Sequence, residues 1–272
     1  MTCPVVCRIS VRLCAMTEFT PDTVFYAIGD VHGMARALSH LHARILDHHQ
    51  KTFSNRPAAI IHLGDYVDRG PESRQVIDVI MALEEAAQSN PRLTIVSLRG
   101  NHEEMMIGGL GGDPAFLDNW VRNGGGNTLE SYVEGDQDQD QVMLNFPRQH
   151  ADWLKKLPTM ITSPQHKFVF VHAGIDPLDF PDCRPQVHLW TRSPRFFRVE
   201  HWTSNPALAG VTVVHGHSPT LDHQVEVEIY GTRRRINVDT GAVFGGPLTA
   251  VVLDGAAEPV FIQVDTETAR VA

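Results

Sequence analysis

The sequence has few cysteines, no long apolar run and no excess of positive charge. Only 4 of its 272 residues are cysteines, and Cys3, Cys7 and Cys14 lie near the start, so we expect no disulfide framework and a reducing, cytoplasmic location. No run approaches the roughly 20 apolar residues of a membrane span, so we expect no membrane association. The net charge of -9 argues against binding to nucleic acid or to an anionic membrane.

The length and apolar content bound the number of domains. A chain of 272 residues with 42% hydrophobic residues can bury a large core, and we expect a single domain over residues 16–272. Residues 1–15 are apolar, but Arg8 and Arg12 interrupt the hydrophobic stretch that a signal peptide requires. We interpret this segment as a disordered leader, or as residues upstream of a true start at Met16, rather than as a cysteine metal site.

The chain alternates at first between short apolar segments and helical patterns. Buried strands are indicated at residues 23–28, 58–63 and 92–98. A glycine-containing polar loop and a helical pattern follow each strand, which predicts βαβ units with a largely parallel sheet. The second half contains mostly strand patterns, among them residues 167–171 and 211–214. We therefore predict an α/β fold with two sheets packed face to face and helices outside.

Three polar features are expected to lie in solvent. The stretch EGDQDQDQ at residues 134–141 is typical of a solvated loop. The arginines at residues 233–235 indicate a solvated turn at the end of a hairpin. His42 is expected on the exposed face of the first helix.

Polar residues beside glycine follow five of the strand patterns. Taken singly each is a weak signal, because an aspartate after a strand is more often a turn former and a buried histidine more often a core residue. Together they predict a site for two metal ions. The predicted ligands are Asp30, His32, Asp65, Asn101, His172 and His215.

The arrangement of these ligands follows from their spacing and chemistry. Asp30 and His32 are two residues apart, so on extended backbone both side chains point the same way towards a first ion. The two oxygens of Asp65 can bridge to a second ion, which the remaining three residues would complete. The mixture of oxygen and nitrogen ligands suits manganese, iron or zinc rather than calcium.

Neighbouring charged residues indicate what the metal ions are for. His102 follows Asn101, so on an extended loop its ring faces away from the ligand direction, and it is a candidate general acid. Asp68 could accept a hydrogen bond from His102 and favour the imidazolium form. Two dications and two carboxylates leave a charge of about +2, which attracts anions. Guanidinium groups match phosphate oxygens, and the candidate phosphate-binding residues are Arg69, Arg99 and Arg192.

Five motifs resemble those of the phosphoprotein phosphatase superfamily of binuclear metallophosphatases. They are GDVHG (29–33), GDYVDRG (64–70), RGNHE (99–103), HAG (172–174) and HGH (215–217). LWTR at 189–192, with NGG at 123–125 and DTGA at 239–242, is similar to the bacterial and phage branch. The resemblance implies a metallophosphatase-like central β-sandwich flanked by helices, with the active site at the C-terminal ends of strands. It also implies the ligand, acid and phosphate-binding roles given above.

The resemblance implies a metal-dependent serine/threonine protein phosphatase. A hydroxide held by two divalent ions, with manganese the first choice, would attack phosphorus in line, and His102 would protonate the leaving alkoxide without a phosphoenzyme. The partners would be phosphorylated proteins. Regulatory subunits are not indicated, because the acidic C-terminal groove of the eukaryotic relatives is not recognisable here.

Two alternatives stay open. One is a dinucleoside polyphosphate hydrolase similar to diadenosine tetraphosphatases, which share the metal site but typically lack an acid at the position of Asp68 and have aspartate at the position of Glu103. The other is an inactive phosphate-binding scaffold, which the complete ligand set disfavours. The order of preference among phosphoserine, phosphothreonine and phosphotyrosine is also open. We expect His62 and His217, which lie beside predicted ligands, to pack or form hydrogen bonds rather than bind metal.

Overall fold

The computed structural model describes residues 19–255 and 257–266, so the expected leader at residues 1–15 lies outside the described residues. Ten strands occur in this part of the chain: β1 Val24–Ile28, β2 Ala58–His62, β3 Leu93–Ser97, β4 Met160–Ser163, β5 Phe168–Val171, β6 Thr212–His215, β7 Glu226–Tyr230, β8 Arg233–Asn237, β9 Leu248–Leu253 and β10 Val260–Val264. The α-helices in the same part are α1 Ala35–Thr52, α2 Ser73–Ala87, α3 Asn101–Leu110, α4 Pro114–Trp120, α5 Gly126–Ser131, α6 Gln139–Leu144, α7 Arg148–Lys156, α8 Pro185–Trp190 and α9 Pro194–Phe197.

The first sheet has the strand order β10-β9-β1-β2-β3. Strands β1, β2 and β3 are parallel, and α1 and α2 connect them as two βαβ units. Strand β9 runs antiparallel to β1, and β10 runs antiparallel to β9. The carboxyl ends of the three parallel strands therefore meet at one edge of the sheet, where the polar motifs follow.

The second sheet has the order β4-β5-β6-β8-β7, with β5, β6 and β8 parallel. It packs face to face with the first sheet, because Phe25 and Ile61 share an apolar core with Phe170 and Val214. Alternate residues such as Val213 face a separate core on the outer side. The predicted α/β fold with two packed sheets is confirmed.

Helices cover the outer face of the first sheet. The residues that α1 buries there, Leu38, Leu41 and Ile45, recur at helical spacing and form its apolar stripe. A helix long and apolar enough to cross a membrane does not occur among the described residues.

Two of the polar segments differ from expectation. Helix α6 begins within residues 134–141, and Asp138 caps it by accepting the backbone N–H of Gln141 at 2.9 Å. The arginines at 233–235 lie in β8 rather than in a turn. Arg235 is almost fully buried, with Nη2 2.7 Å from Glu226 and 3.3 Å from Glu228 on the neighbouring strand. These two carboxylates neutralise the buried guanidinium against the sheet, since an unpaired buried charge would be costly.

His42 is buried rather than exposed, and it contacts His62. The Nε2 atoms of the two rings are 2.8 Å apart. Nδ1 of His62 lies 3.4 Å from the hydroxyl of Ser97, which donates to Glu84 at 2.7 Å. Burial lowers the pKa of His42 to about 4 and that of His62 well below its ordinary value. Both imidazoles are therefore neutral near pH 7, and His62 packs in the core as expected.

The burial of His42 predicts a loss of stability in acid. Above pH about 6.5 the ring is neutral in both the folded and the unfolded chain, so it causes no pH dependence. Between pH about 6.5 and the folded pKa of about 4, only the unfolded chain binds the proton, which lowers the free energy of unfolding by about 1.4 kcal/mol per pH unit. Urea denaturation should show that the free energy of unfolding of His42→Gln falls across this pH range by about 2 to 3 kcal/mol less than that of the wild type. Parallel pH curves would contradict the prediction.

Candidate functional site

The loop after β2 carries Asp65 to the centre of the site. Asp65 is buried with a φ of 54°, and Gly64 before it has a φ of 107°. A Cβ at position 64 would lie 2.6 Å from the backbone nitrogen of Gly100, so glycine lets the two loops pass closely. The Glu103 carboxylate joins the same loops by accepting the backbone N–H groups of Asp65 and Gly100, each at 2.8 Å.

Potential metal ligands surround Asp65 on two sides. Its Oδ2 lies 3.5 Å from Nε2 of His32, and its Oδ1 lies 3.3 Å from Nε2 of His172. Two groups of donor atoms therefore share Asp65, and within each group the atoms lie within 4.8 Å of one another. One group includes His32 and His102, and the other includes His172 and His217. This geometry suits a bridging carboxylate, the role predicted for Asp65.

Hydrogen bonds fix the ring orientation of two histidines in these groups. Nδ1 of His32 donates to the carbonyl oxygen of Val67 at 2.8 Å. Nδ1 of His172 donates to that of Leu63 at 3.0 Å. Because a carbonyl can only accept, each Nδ1 carries the proton and each Nε2 presents a lone pair to Asp65. Burial lowers the pKa of both imidazoles, so both take the neutral form that binds metal.

Asn101 lies on the His172 side of the site. Its Oδ1 lies 2.9 Å from Nε2 of His172 and 2.8 Å from Nδ1 of His217. Side-chain atoms of Asp65, Asn101, His172 and His217 thus converge. From the sequence, His215 was the predicted fourth ligand and His217 was expected to pack nearby, and the structure reverses these two positions.

His215 is the last residue of β6 and points away from the cluster. Alternate residues of this strand face opposite sides, with Val214 in the core between the sheets and Val213 in the outer core. His215 therefore shares the outer face with Val213, and there its Nε2 accepts from Arg235 at 3.1 Å. Two residues later, His217 has a φ of 69°, which turns its side chain towards the site.

Substitution should distinguish the two histidines. We expect His217→Asn to lower the affinity for Mn²⁺ at least about tenfold, because it removes a donor atom next to Asn101. We expect His215→Asn to keep the metal content and to lower the free energy of unfolding by about 1 to 3 kcal/mol, because the buried Arg235 loses an acceptor. Equilibrium dialysis with elemental analysis, together with urea denaturation, measures both effects. If His215→Asn lost its metal and His217→Asn kept it, the assignment of His217 as the ligand would be contradicted.

Asp30, which follows β1, brings a further carboxyl group to the cluster. Its two oxygens accept the backbone N–H of His217, each at 3.1 Å. The pKa of Asp30 is raised well above its ordinary range, mainly by burial and further by the nearby carboxylates of Asp239 and Asp65. Burial likewise raises the pKa of Asp239 to about 6. In the sequence, Asp239 stood out only as part of DTGA, with no predicted role at the site.

The donor set fits a metal centre. Carboxyl groups buried beside one another repel when ionised, and a divalent cation would relieve that repulsion. Neutral imidazoles, an amide oxygen and carboxylates are ligands that manganese, iron and zinc accept. The His and Asp residues of this site are therefore positioned to bind metal.

His102 and Asp68 form a buried pair beside the cluster. Nδ1 of His102 lies 2.6 Å from Oδ2 of Asp68, and its Nε2 lies 4.0 Å from Oδ2 of Asp65. Burial alone would lower the pKa of His102, but the carboxylates of Asp65 and Asp68 outweigh it, and the pKa is raised. The imidazolium form is therefore favoured, with one N–H on Asp68 and the other facing the cluster. The contact predicted between the two residues is present.

Two of the three predicted phosphate-binding arginines reach the cluster. Nη1 of Arg69 lies 2.6 Å from Nε2 of His32. Nε of Arg192 lies 3.2 Å from Nε2 of His217. The two guanidinium groups thus contact the histidines on different sides of Asp65, where both could meet an anion.

Arg99 does not reach the cluster. Its guanidinium donates to Glu104 of α3 at 2.9 Å and to the carbonyl oxygen of Lys155 in α7 at 2.6 Å. These bonds connect two helices and engage both of its terminal nitrogens. The expectation that Arg99 binds phosphate is therefore corrected to a structural role.

Comparisons with known proteins identify the family to which the chain is similar. A model of the calcineurin-like phosphoesterase family matches residues 23–245. The asymmetrical bis(5'-nucleosyl)-tetraphosphatase PrpE of Halalkalibacterium halodurans is 24% identical over 250 residues, which cover 84% of this chain and 89% of that relative. The symmetrical bis(5'-nucleosyl)-tetraphosphatase of Legionella pneumophila strain Corby is 31% identical over 154 residues, which cover 56% of this chain and 45% of that relative.

A solved structure shares the fold. The cold-active protein-tyrosine phosphatase of a psychrophilic Shewanella species superposes with a TM-score of 0.58 at 20% sequence identity, covering 91% of this chain and 84% of that one. At this identity the likeness extends to the fold alone.

Proposed function

The chain belongs to the calcineurin-like phosphoesterase family, and from this premise we propose that it hydrolyses phosphate monoesters on serine and threonine side chains of proteins. Its activity class is that of a metallophosphoesterase. The observation that supports the choice of substrate is the buried contact of 2.6 Å between His102 and Asp68.

This pair favours a substrate with a poor leaving group. Cleavage of a serine or threonine phosphate releases an alkoxide, which needs a proton, whereas cleavage of a phosphoanhydride releases a phosphate group that is stable without one. A general acid contributes about 10² to 10⁴-fold where proton transfer is required. As the P–O bond breaks, the leaving oxygen takes the Nε2 proton of His102 and departs as an alcohol. Water supplies the oxygen that ends on the phosphate.

Two divalent ions are proposed on the two sides of Asp65. The first would be held by Asp30, His32 and Asp65, and the second by Asp65, Asn101, His172 and His217. When bound, the ions would act as Lewis acids that neutralise phosphate charge and make water a better nucleophile near neutral pH. Manganese is the first choice, with iron and zinc as alternatives.

Arg69 and Arg192 are proposed to hold the phosphate group. Each now donates to a histidine of the cluster, His32 or His217. A phosphate bound there would offer both guanidinium groups charged acceptors, which form stronger hydrogen bonds than neutral imidazole nitrogens. The ring of Phe244, 5.5 Å from the Arg69 guanidinium carbon, supports Arg69 from the other side.

A dinucleoside polyphosphate is the second candidate substrate. Both sequence relatives described above carry the name of dinucleoside tetraphosphatases. Two partly exposed aromatic side chains also lie beside the site: Trp190, whose ring centroid is 6.5 Å from that of His217, and Phe244. Such rings are surfaces on which a nucleobase could stack. The metal ligands would be the same for either substrate.

A substrate panel separates the two candidates. The purified protein is assayed with Mn²⁺ on phosphoserine, phosphothreonine and phosphotyrosine peptides and on diadenosine tetraphosphate. We expect kcat/KM for the phosphoserine or phosphothreonine peptide to exceed that for the dinucleotide at least about tenfold. A preference for the dinucleotide would contradict the proposed protein substrate but leave the metal assignment intact. Absence of hydrolysis with several metals would overturn the proposed activity.

A further inference from the structure

Two side chains outside the predicted site bind the second oxygen of Asp68. Oδ2 faces His102, whereas Oδ1 accepts the indole N–H of Trp120 at 2.8 Å and the hydroxyl of Thr128 at 2.6 Å. All four side chains are almost completely buried. Both oxygens of the carboxylate are therefore oriented by specific donors, and water is excluded from them.

Thr128 also supports the backbone of Asp68. Its Oγ1 accepts the backbone N–H of Asp68 at 2.8 Å, and the hydroxyl of Ser73 lies 3.1 Å from the same nitrogen. Asp68 has a φ of 73°, a conformation that residues other than glycine rarely adopt. Such backbone persists where surrounding contacts determine it. Thr128 therefore fixes Asp68 through both its backbone and its side chain.

Glycines bring these two donors close to Asp68. A kink at Gly124, whose φ is 104°, separates the helical turn after Trp120 from α5, which carries Thr128. A Cβ on Gly125 would lie 2.7 Å from the indole nitrogen of Trp120, and a Cβ on Gly124 would lie 2.8 Å from the backbone nitrogen of Arg69. The chain can take this path only with very small residues in the turn.

We propose that Trp120 and Thr128 are positioning residues for proton transfer from His102. The inference rests on the proposed function, in which His102 protonates the leaving oxygen. The two donors hold the Asp68 carboxylate so that Oδ2 meets Nδ1 of His102, and this directs the opposite Nε2 proton at the substrate. Without them the carboxylate loses two hydrogen bonds in a buried site and can rotate away from His102. Because the effect passes through His102, it should depend on the leaving group.

Substrates with different leaving groups test this directly. Trp120→Phe removes the indole N–H together with part of the buried ring, and Thr128→Val replaces the hydroxyl, which both donates to and accepts from Asp68, by a methyl group of similar size. Both variants are assayed on a phosphoserine peptide and on 4-nitrophenyl phosphate. The alkoxide of serine needs a proton to leave, whereas 4-nitrophenolate does not. We expect kcat on the peptide to fall at least about 30-fold and kcat on the aryl phosphate to fall less than about threefold, with KM nearly unchanged. Thr128→Ser, which keeps the hydroxyl, should recover most of the peptide activity.

A buried tryptophan elsewhere provides the matched control. The indole of Trp202 donates to the carbonyl oxygen of Phe196 at 2.9 Å, so Trp202→Phe also removes one buried hydrogen bond. It should change the activities on the two substrates in equal proportion. Equal losses on both substrates in Trp120→Phe and Thr128→Val, with normal metal content, would overturn the positioning role. If Trp120→Phe does not fold, the comparison of Thr128→Val with Thr128→Ser decides alone. A wild-type protein that is inactive on both substrates would overturn the proposed function instead.

Discussion

Asp65→Asn should lower kcat/KM by about 10³-fold or more, a loss of roughly 4 kcal/mol of transition-state stabilisation. Among the described residues, Asp65 alone belongs to both groups of potential ligands, with Oδ2 facing His32 and Oδ1 facing His172. Asparagine has nearly the same shape but only one acceptor oxygen, and its amide group would direct N–H donors at one of the two groups. The substitution also removes a negative charge that favours cation binding.

The metal content of the variant distinguishes this effect from a loss of fold. After dialysis against Mn²⁺, the wild type is expected to hold about two ions per chain, as a bridged pair requires, and Asp65→Asn fewer than one. Asp176→Asn serves as the control, because its partly exposed carboxylate lies 3.5 Å from Arg195, outside the cluster. Wild-type metal content in Asp65→Asn would contradict the bridging role.

The fold and most of the cluster follow from patterns that the sequence carries openly. Buried strands are short apolar runs, and each run that matters here ends at a polar residue beside glycine. Parallel strands connected by helices bring their carboxyl ends to one edge, so Asp30, Asp65 and Asn101 must lie near one another. No side-chain detail is needed for that conclusion.

The exchange of His215 and His217 depends on information that the sequence pattern does not carry. Strand β6 is buried on both faces, so no alternation of polar and apolar residues shows which side His215 takes. The left-handed backbone of His217 then breaks the two-residue period of the strand. Arg99 was misassigned for a related reason, since its partner Lys155 lies 56 positions away on a helix that packs beside it.

The hydrogen bonds that hold Asp68 could not be predicted from the sequence either. Its contacts with Trp120 and Thr128 span 52 and 60 positions, and they depend on a kink at Gly124 that no hydrophobic period predicts. The sequence shows the NGG motif at 123–125, but only the structure relates Gly124 to the backbone of Arg69 and Gly125 to the indole of Trp120.

His102→Asn should lower kcat on a phosphoserine peptide by about 10² to 10⁴-fold, because the leaving alkoxide loses its proton donor. The fall on 4-nitrophenyl phosphate should be much smaller. Metal content should stay near that of the wild type, because Asp65 remains between His32 and His172. A variant that lost its metal, or that lost both activities equally, would show that His102 acts as a ligand rather than as an acid.

Asp68→Asn tests the same proton transfer through the partner of His102. The raised pKa of His102 keeps the acid form present at higher pH, so activity on the peptide should fall as the pH rises through that value. Removing the Asp68 carboxylate takes away one of the two charges that raise this pKa, so the alkaline limb of the kcat profile should move to lower pH. Because the two residues act as one unit, the double variant with His102→Asn should be little worse than His102→Asn alone. Additive losses and an unchanged alkaline limb would mean that Asp68 supports the fold without orienting the acid.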